Sequence, residues 1–149
     1  MVSKEQIEQE KSLREIIDQM KKNLSESIIG MMNPVFVSCN SEEKSMSVMF
    51  TTKPWMRNPV GILHGGITAA MLDNAMGMLV RYYNSGHLAP TVNMSVDYIR
   101  QIPINEPIVV KAYIVSCGST LIRARGEVKI SGKSGIVASG VATYYAAGF

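Results

Sequence analysis

Asp73 stands in a run whose other members are almost all apolar: Ile67, Ala69, Ala70, Met71, Leu72, Ala75, Met76, Met78, Leu79 and Val80. Set on a helix over residues 66–81, these side chains cover nearly every direction, and a helix apolar all round has to be enclosed. An unpartnered carboxylate taken out of water costs several kcal/mol or shifts its proton affinity until it neutralises. Two accounts of Asp73 are open. It is a structural acid, hydrogen-bonded to a neighbouring strand or exposed at a gap in the sheet, or it is a nucleophile or general base.

Immediately upstream stands His64-Gly65-Gly66. Adjacent glycines let a backbone come close to another group. Free amides at a helix start carry the positive end of the helix dipole, so they suit a carbonyl oxygen and the negative charge that develops on it during attack. The plain alternative is a loop that needs unusual backbone angles. His64 reads as a hydrogen-bonding scaffold with a substrate contact rather than as a general base. At ~1.5 Å per residue, Asp73 lies roughly 10 Å beyond the helix start. That is too far for both to grip one reacting carbon within a single subunit, so a real site would bring the carboxylate of one chain to the amides of another.

The elements that must position these groups follow from periodicity. Ser3 and Gln6 have capping-box spacing, and Ile7, Leu13, Ile16, Ile17, Met20, Leu24 and Ile28 recur at mostly helical intervals, predicting one amphipathic helix from residue 3 to about Gly30. Its other face carries Lys4, Glu8, Lys11, Glu15, Lys22 and Glu26, and Pro34 prevents continuation. After Val35 the period falls to two, with Met46, Val48 and Phe50 alternating with Ser45, Ser47 and Met49. Strands return after the apolar helix: Val92, Met94, Val96 and Tyr98 alternate with polar neighbours, and residues 108–115 form a second run. In a third, Arg123, Arg125, Glu127 and Lys129 share one face while Ile122, Ala124, Gly126, Val128 and Ile130 share the other. Residues 131–135 have turn chemistry, and 136–145 read as the last strand. The order is helix, one or two strands, a buried helix, then four antiparallel strands wrapped around it, an α+β arrangement.

Bulk properties exclude several roles. A chain of 149 residues suits one domain. A net charge of +3 with 18% charged residues, scattered rather than gathered into a basic patch, argues against nucleic-acid binding. Cys39 and Cys117 have no metal-ligand spacing and read as buried thiols. The first residues lack a secretory or transit pattern, so a cytoplasmic location is expected. The longest apolar stretch, 62–80, is interrupted by His64, Asp73 and Asn74 and fails as a membrane span.

Asn58-Pro59-Val60-Gly61-Ile62-Leu63-His64-Gly65-Gly66, followed by Asp73 and Gly77, resembles the signature of the phenylacetate-degradation (PaaI-like) type of hot dog thioesterase. The resemblance implies a hot dog fold, a long central helix wrapped by a curved antiparallel β-sheet. The extra N-terminal amphipathic helix, residues 1–33, would pack on a thioesterase domain of residues 34–149. It further implies a homodimer with shared active sites, assembled into a homotetramer, that hydrolyses acyl-CoA to free acid and coenzyme A without cofactor or metal. Asp73 would serve as nucleophile or general base, and the Gly66 amide would polarise the thioester carbonyl. Asn58 would orient the carbonyl or the attacking water, while His64 and Gly65 hold the loop and the thioester. Thr91 falls where relatives carry a Ser or Thr that positions water, although Thr at a strand start is also ordinary structure. Ser116, Gly118, Ser119 and Arg123 resemble a region that meets the nucleotide end of the substrate. Trp55 and Met56 are candidates to flank an acyl pocket, and Met71, Met76, Met78 and Met94 to line it, with core filling the plainer account. Two rivals are a non-catalytic acyl-CoA binding or sensing hot dog protein and a hot dog dehydratase. The first is disfavoured by the presence of Asp73 and Asn58, the second by a different His-containing loop.

Overall fold

The alternation predicted around Arg123 to Lys129 becomes the middle of the sheet. In a computed structural model, which describes residues 1–23 and 26–146, strand β5 (Leu121–Ile130) buries Ile122, Ala124, Val128 and Ile130 and turns Arg123, Arg125 and Lys129 to solvent. The remaining elements are α1 (Lys4–Asn23), α2 (Ile28–Met32), β1 (Val35–Asn40), β2 (Ser45–Thr51), α3 (Gly65–Tyr83), β3 (Thr91–Tyr98), β4 (Pro107–Cys117) and β6 (Ala138–Tyr145). Six strands form one sheet in the order β1-β2-β4-β5-β6-β3, with every pairing antiparallel. The sheet curves around α3, which packs against β2 through β6, as expected. Strand β3 follows α3 in the chain yet pairs only with β6, so its other side is an open sheet edge among the described residues. Among the described residues, no helix is long and apolar enough to cross a membrane.

Two glycines fix how closely α3 approaches the sheet. Gly126 on β5 and Gly140 on β6 are cross-strand partners. A Cβ at Gly126 would stand 2.8 Å from Leu72 Cδ2, and one at Gly140 would stand 3.4 Å from Leu72 Cδ1. Leu72 is fully buried in the slot between them, one residue before Asp73. Gly126→Ala should therefore overpack the slot and destabilise the fold by about 1–3 kcal/mol. Thermal unfolding reads this directly, and a melting temperature equal to wild type would show that Leu72 yields freely.

Three expectations need correction. The N-terminal segment is two helices rather than one. Helix α1 stops at Asn23, and the Ser27 side chain caps α2 by accepting from Gly30 N at 3.3 Å, a local bond that competes with continuing one helix. Leu24 lies outside the described residues. Leu13, Ile16 and Ile17 do form the buried face of α1, but Ile7 and Ile28 are exposed, and Gln9 is buried instead, its Nε2 donating to Tyr83 Oη at 2.9 Å. Neither thiol is buried: Cys39 is half-buried, and Cys117, at the end of β4 where the sheet runs out into a turn, is exposed. Helix α3 is also not enclosed on every side. Gly66 is exposed, and Ile67, Ala70, Asp73, Asn74 and Gly77, three or four apart, form a half-exposed stripe of mostly small side chains. Asp73 sits in that stripe.

Candidate active site

The loop before α3 is organised by Asn58. Its backbone N–H donates to Ile62 O at 2.8 Å, and its Oδ1 accepts from Val60 N at 3.1 Å and Ile62 N at 3.2 Å. Gly61 completes the turn at φ +89°, in the left-handed region that favours glycine. The oxygen of Asn58 is thus committed to its own loop, and its Nδ2 donates no hydrogen bond among the described residues. The loop is moored by Leu63 N to Ile102 O and His64 N to Met56 O, both 2.8 Å.

His64 is the N-cap of α3, and its Nδ1 accepts from Gly66 N at 2.9 Å. Its carbonyl accepts from Ile67 N and Thr68 N. Of the four amides a helix start leaves open, only that of Gly65 has no acceptor among the described residues. The amide first expected at the thioester carbonyl, that of Gly66, is the one His64 occupies. With Nδ1 accepting, a neutral imidazole carries its proton on Nε2, an outward donor on an exposed side chain. Tyr98 Oη donates to Gly65 O at 2.7 Å. The peptide joining Gly65 to Gly66 is therefore held at its carbonyl by Tyr98 and at its N–H by His64. A Cβ on Gly65 would approach the Tyr98 ring to 3.3 Å, which keeps the position small. Asn58, Gly65 and Tyr98 border an open cleft of about 330 Å³.

Asp73 lies eight residues further along α3, about 12 Å away at ~1.5 Å per residue. It is half-buried, and its Oδ1 accepts from Thr91 Oγ1 at 2.8 Å and from Tyr144 Oη at 2.9 Å. Thr91 and Tyr144 are cross-strand partners on β3 and β6, so their side chains reach the same face. Oδ2 receives no hydrogen bond from the described residues. Burial, and then the negative charge of Asp73 beside it, push the Tyr144 hydroxyl well above the ordinary tyrosine range, which keeps it a donor.

Of the residues singled out in the sequence, Asp73 and Thr91 come together, and Asn58, His64 and Gly65 come together with Gly66. The two groups do not meet within one chain. Gly118, Ser119 and Arg123 are exposed and touch neither group, but their turn lies at the Asp73 end of the sheet. Ile122, beside Arg123, pairs with Tyr144, which in turn pairs with Thr91. Trp55 is exposed, whereas Met56, Met71, Met76 and Met78 are fully buried core. Sequence reasoning missed Tyr144 and Tyr98. Tyr144 carried a signal, since counting in twos from the buried Ala138 puts it on the inner face of β6.

A family model described as the thioesterase superfamily matches residues 60–135, just over half of the chain. Acyl-coenzyme A thioesterase 13 of Homo sapiens is 31% identical over 111 residues, covering 74% of this chain and 76% of the relative. The solved structure of thioesterase superfamily member 2 from Mus musculus superposes with a TM-score of 0.75 at 24% identity, covering 98% of this chain and 99% of that one. The PaaI protein of the E. coli phenylacetic acid degradation operon gives 0.73 at 18% identity, covering 91% and 96%. The solved neighbours share the hot dog arrangement of one long helix wrapped by an antiparallel sheet, and the family match together with the human relative goes beyond fold: this chain belongs to the thioesterase superfamily.

Proposed function

We propose that the protein hydrolyses acyl-CoA thioesters to a free acid and coenzyme A at a site shared between two copies of the chain. The observation that carries this reading is the placement of two incomplete half-sites at opposite ends of the open edge strand β3. Thr91 begins β3 and holds Asp73, and Tyr98 ends it and holds Gly65. An antiparallel pairing of β3 with its own copy, centred between Met94 and Ser95, sets Thr91 of one chain opposite the partner's Tyr98. Asp73 of one chain then faces the partner's Gly65. Val92, exposed at 60%, and Tyr98, at 57%, would be covered by such a pairing. Assembly of these dimers into tetramers and a cytoplasmic location belong to the same reading and rest on the family resemblance. Residues 1–33 contribute no catalytic group to it.

In the shared site the thioester oxygen sits at the free Gly65 amide, with His64 Nε2 and Asn58 Nδ2 as further donors. Asp73 acts as nucleophile or as general base. The hydroxyl contacts support the general-base role. The Thr91 proton is committed to Asp73, so its oxygen is left to accept. A water that donates one proton to Thr91 Oγ1 and the other to Asp73 Oδ2 has a lone pair left for the carbonyl carbon. The C–O bond forms as Oδ2 takes the proton, the charge collects at the Gly65 amide, and collapse breaks the C–S bond with the proton passing to the thiolate.

Thiol release measured over short, long and aromatic acyl groups, on both coenzyme A and acyl carrier protein, tests the proposal. Release of free thiol from acyl-CoA is expected. Tight acyl-CoA binding with no release would favour a sensing role, and reversible loss of water without release would mark a dehydratase.

A further inference from the structure

We propose that Tyr144 is a positioning residue that gives the two oxygens of Asp73 different tasks: with Thr91 it holds Oδ1 as a fixed acceptor, leaving Oδ2 as the oxygen that meets water or substrate. This rests on the thioesterase reading above and deepens it. A carboxylate turns easily about its last torsion, and its two oxygens are chemically equivalent. Here the equivalence is broken, because both hydroxyls, at 2.8 and 2.9 Å, converge on Oδ1.

The two donors are not interchangeable. Thr91 is exposed, so water can take the place of its hydroxyl. Tyr144 is 1% exposed, so solvent cannot replace a lost phenol there. Tyr144 Oη also lies 3.1 Å from the backbone oxygen of Asp73, which ties the phenol to the helix as well as to the side chain. One turn further on, its ring edge passes 3.7 Å from where a Cβ of Gly77 would stand, so the ring packs against α3 at a glycine. The phenol is thus set against helix backbone and carboxylate together, and the direction of Oδ2 follows from both. In the reaction the water proton travels to Oδ2 and on to the leaving thiolate, while the Tyr144 proton stays on its own oxygen throughout.

The test compares wild type, Tyr144→Phe and Asp73→Asn in steady-state thiol release and thermal unfolding. Phe keeps the ring and removes only the hydroxyl. The expected result is a kcat lowered about 10- to 100-fold, on the scale of groups that orient a catalytic side chain. KM should stay within about twofold, because the substrate contacts are untouched. The melting temperature should stay within about 5 °C, the scale of one lost buried hydrogen bond. A kcat near wild type would overturn the proposal, as would a loss fully accounted for by a smaller folded fraction. Should Tyr144→Phe not fold, 3-fluorotyrosine placed at position 144 alone keeps the shape and sharpens the donor. A kcat lowered about two- to threefold supports the positioning role, since a carboxylate held by a stronger donor is a weaker base; an unchanged kcat overturns it. Wild type without thiol release would instead refute the thioesterase reading, and this proposal with it. The two failures are distinct, because only in the first do wild type and Asp73→Asn differ.

Discussion

Asp73→Asn is expected to lower the rate of thiol release by about 100- to 10,000-fold, the range for loss of a positioned base. Asparagine keeps the shape of aspartate, and its Oδ1 can still accept from Thr91 and Tyr144, so the slot around Leu72 and the strand pairing should survive. What disappears is the second oxygen. An amide nitrogen neither takes a proton from water nor attacks a carbonyl, so the whole loss should fall on kcat and not on acyl-CoA affinity. Single-turnover thiol release and equilibrium binding of the same substrate separate the two. Hydrolysis by the variant at near the wild-type rate would refute the catalytic role of Asp73 and return it to the structural account.

The second large effect is one that appears only on mixing. Asn58→Ala removes the oxygen that holds Val60 N and Ile62 N, so the loop and the Gly65 amide it presents should lose their setting. Asp73→Ala leaves that loop intact and removes the acid. Each variant alone should be nearly inactive. If the site is shared, random exchange makes about half the dimers hybrid, and each hybrid has one intact site out of two. Recovery of about a quarter of wild-type activity is therefore expected after mixing. Native mass spectrometry counts the hybrids, and confirmed hybrids with no recovered activity would refute a site shared between Asp73 of one chain and Asn58 of the other.

Much of this was legible before any coordinates. The alternation in β5 is a local pattern that reports directly on which face is covered, and the apolar run of α3 marks the helix that the sheet wraps. Asp73 stood out because a charge among methionines and leucines needs an explanation, structural or catalytic, and the glycines upstream tipped the balance to the second. The helix rise alone separated it from the glycines. What escaped was decided by partners far away in the chain. The choice between the Gly65 and Gly66 amides depends on the His64 rotamer, which spacing does not encode. Tyr144 reaches Asp73 only because β6 pairs in one register with β3, and a shift of one residue would have turned Tyr145 inward instead. The break between α1 and α2 had a local cause, the Ser27 cap, hidden within a pattern that remained helical on both sides. Enclosure of α3 was overestimated because alanine and glycine count as apolar while leaving little bulk, and an open stripe of small residues reads like a buried one.

The position of β3 in the sheet also bears on the order in which the protein can be built. β3 is synthesised directly after α3 but has no neighbour within the sheet until β6, the last strand, arrives. Tyr144 lies 71 residues beyond the carboxylate it holds. As the chain emerges during synthesis, helix α3 and strands β4 and β5 can associate while Asp73 still lacks the Tyr144 hydroxyl, and long-range pairings of this kind close late. The acid is therefore among the last groups to acquire its final surroundings, and a chain that stops short of β6 would carry every residue of the Asn58 to Asp73 signature and no oriented carboxylate.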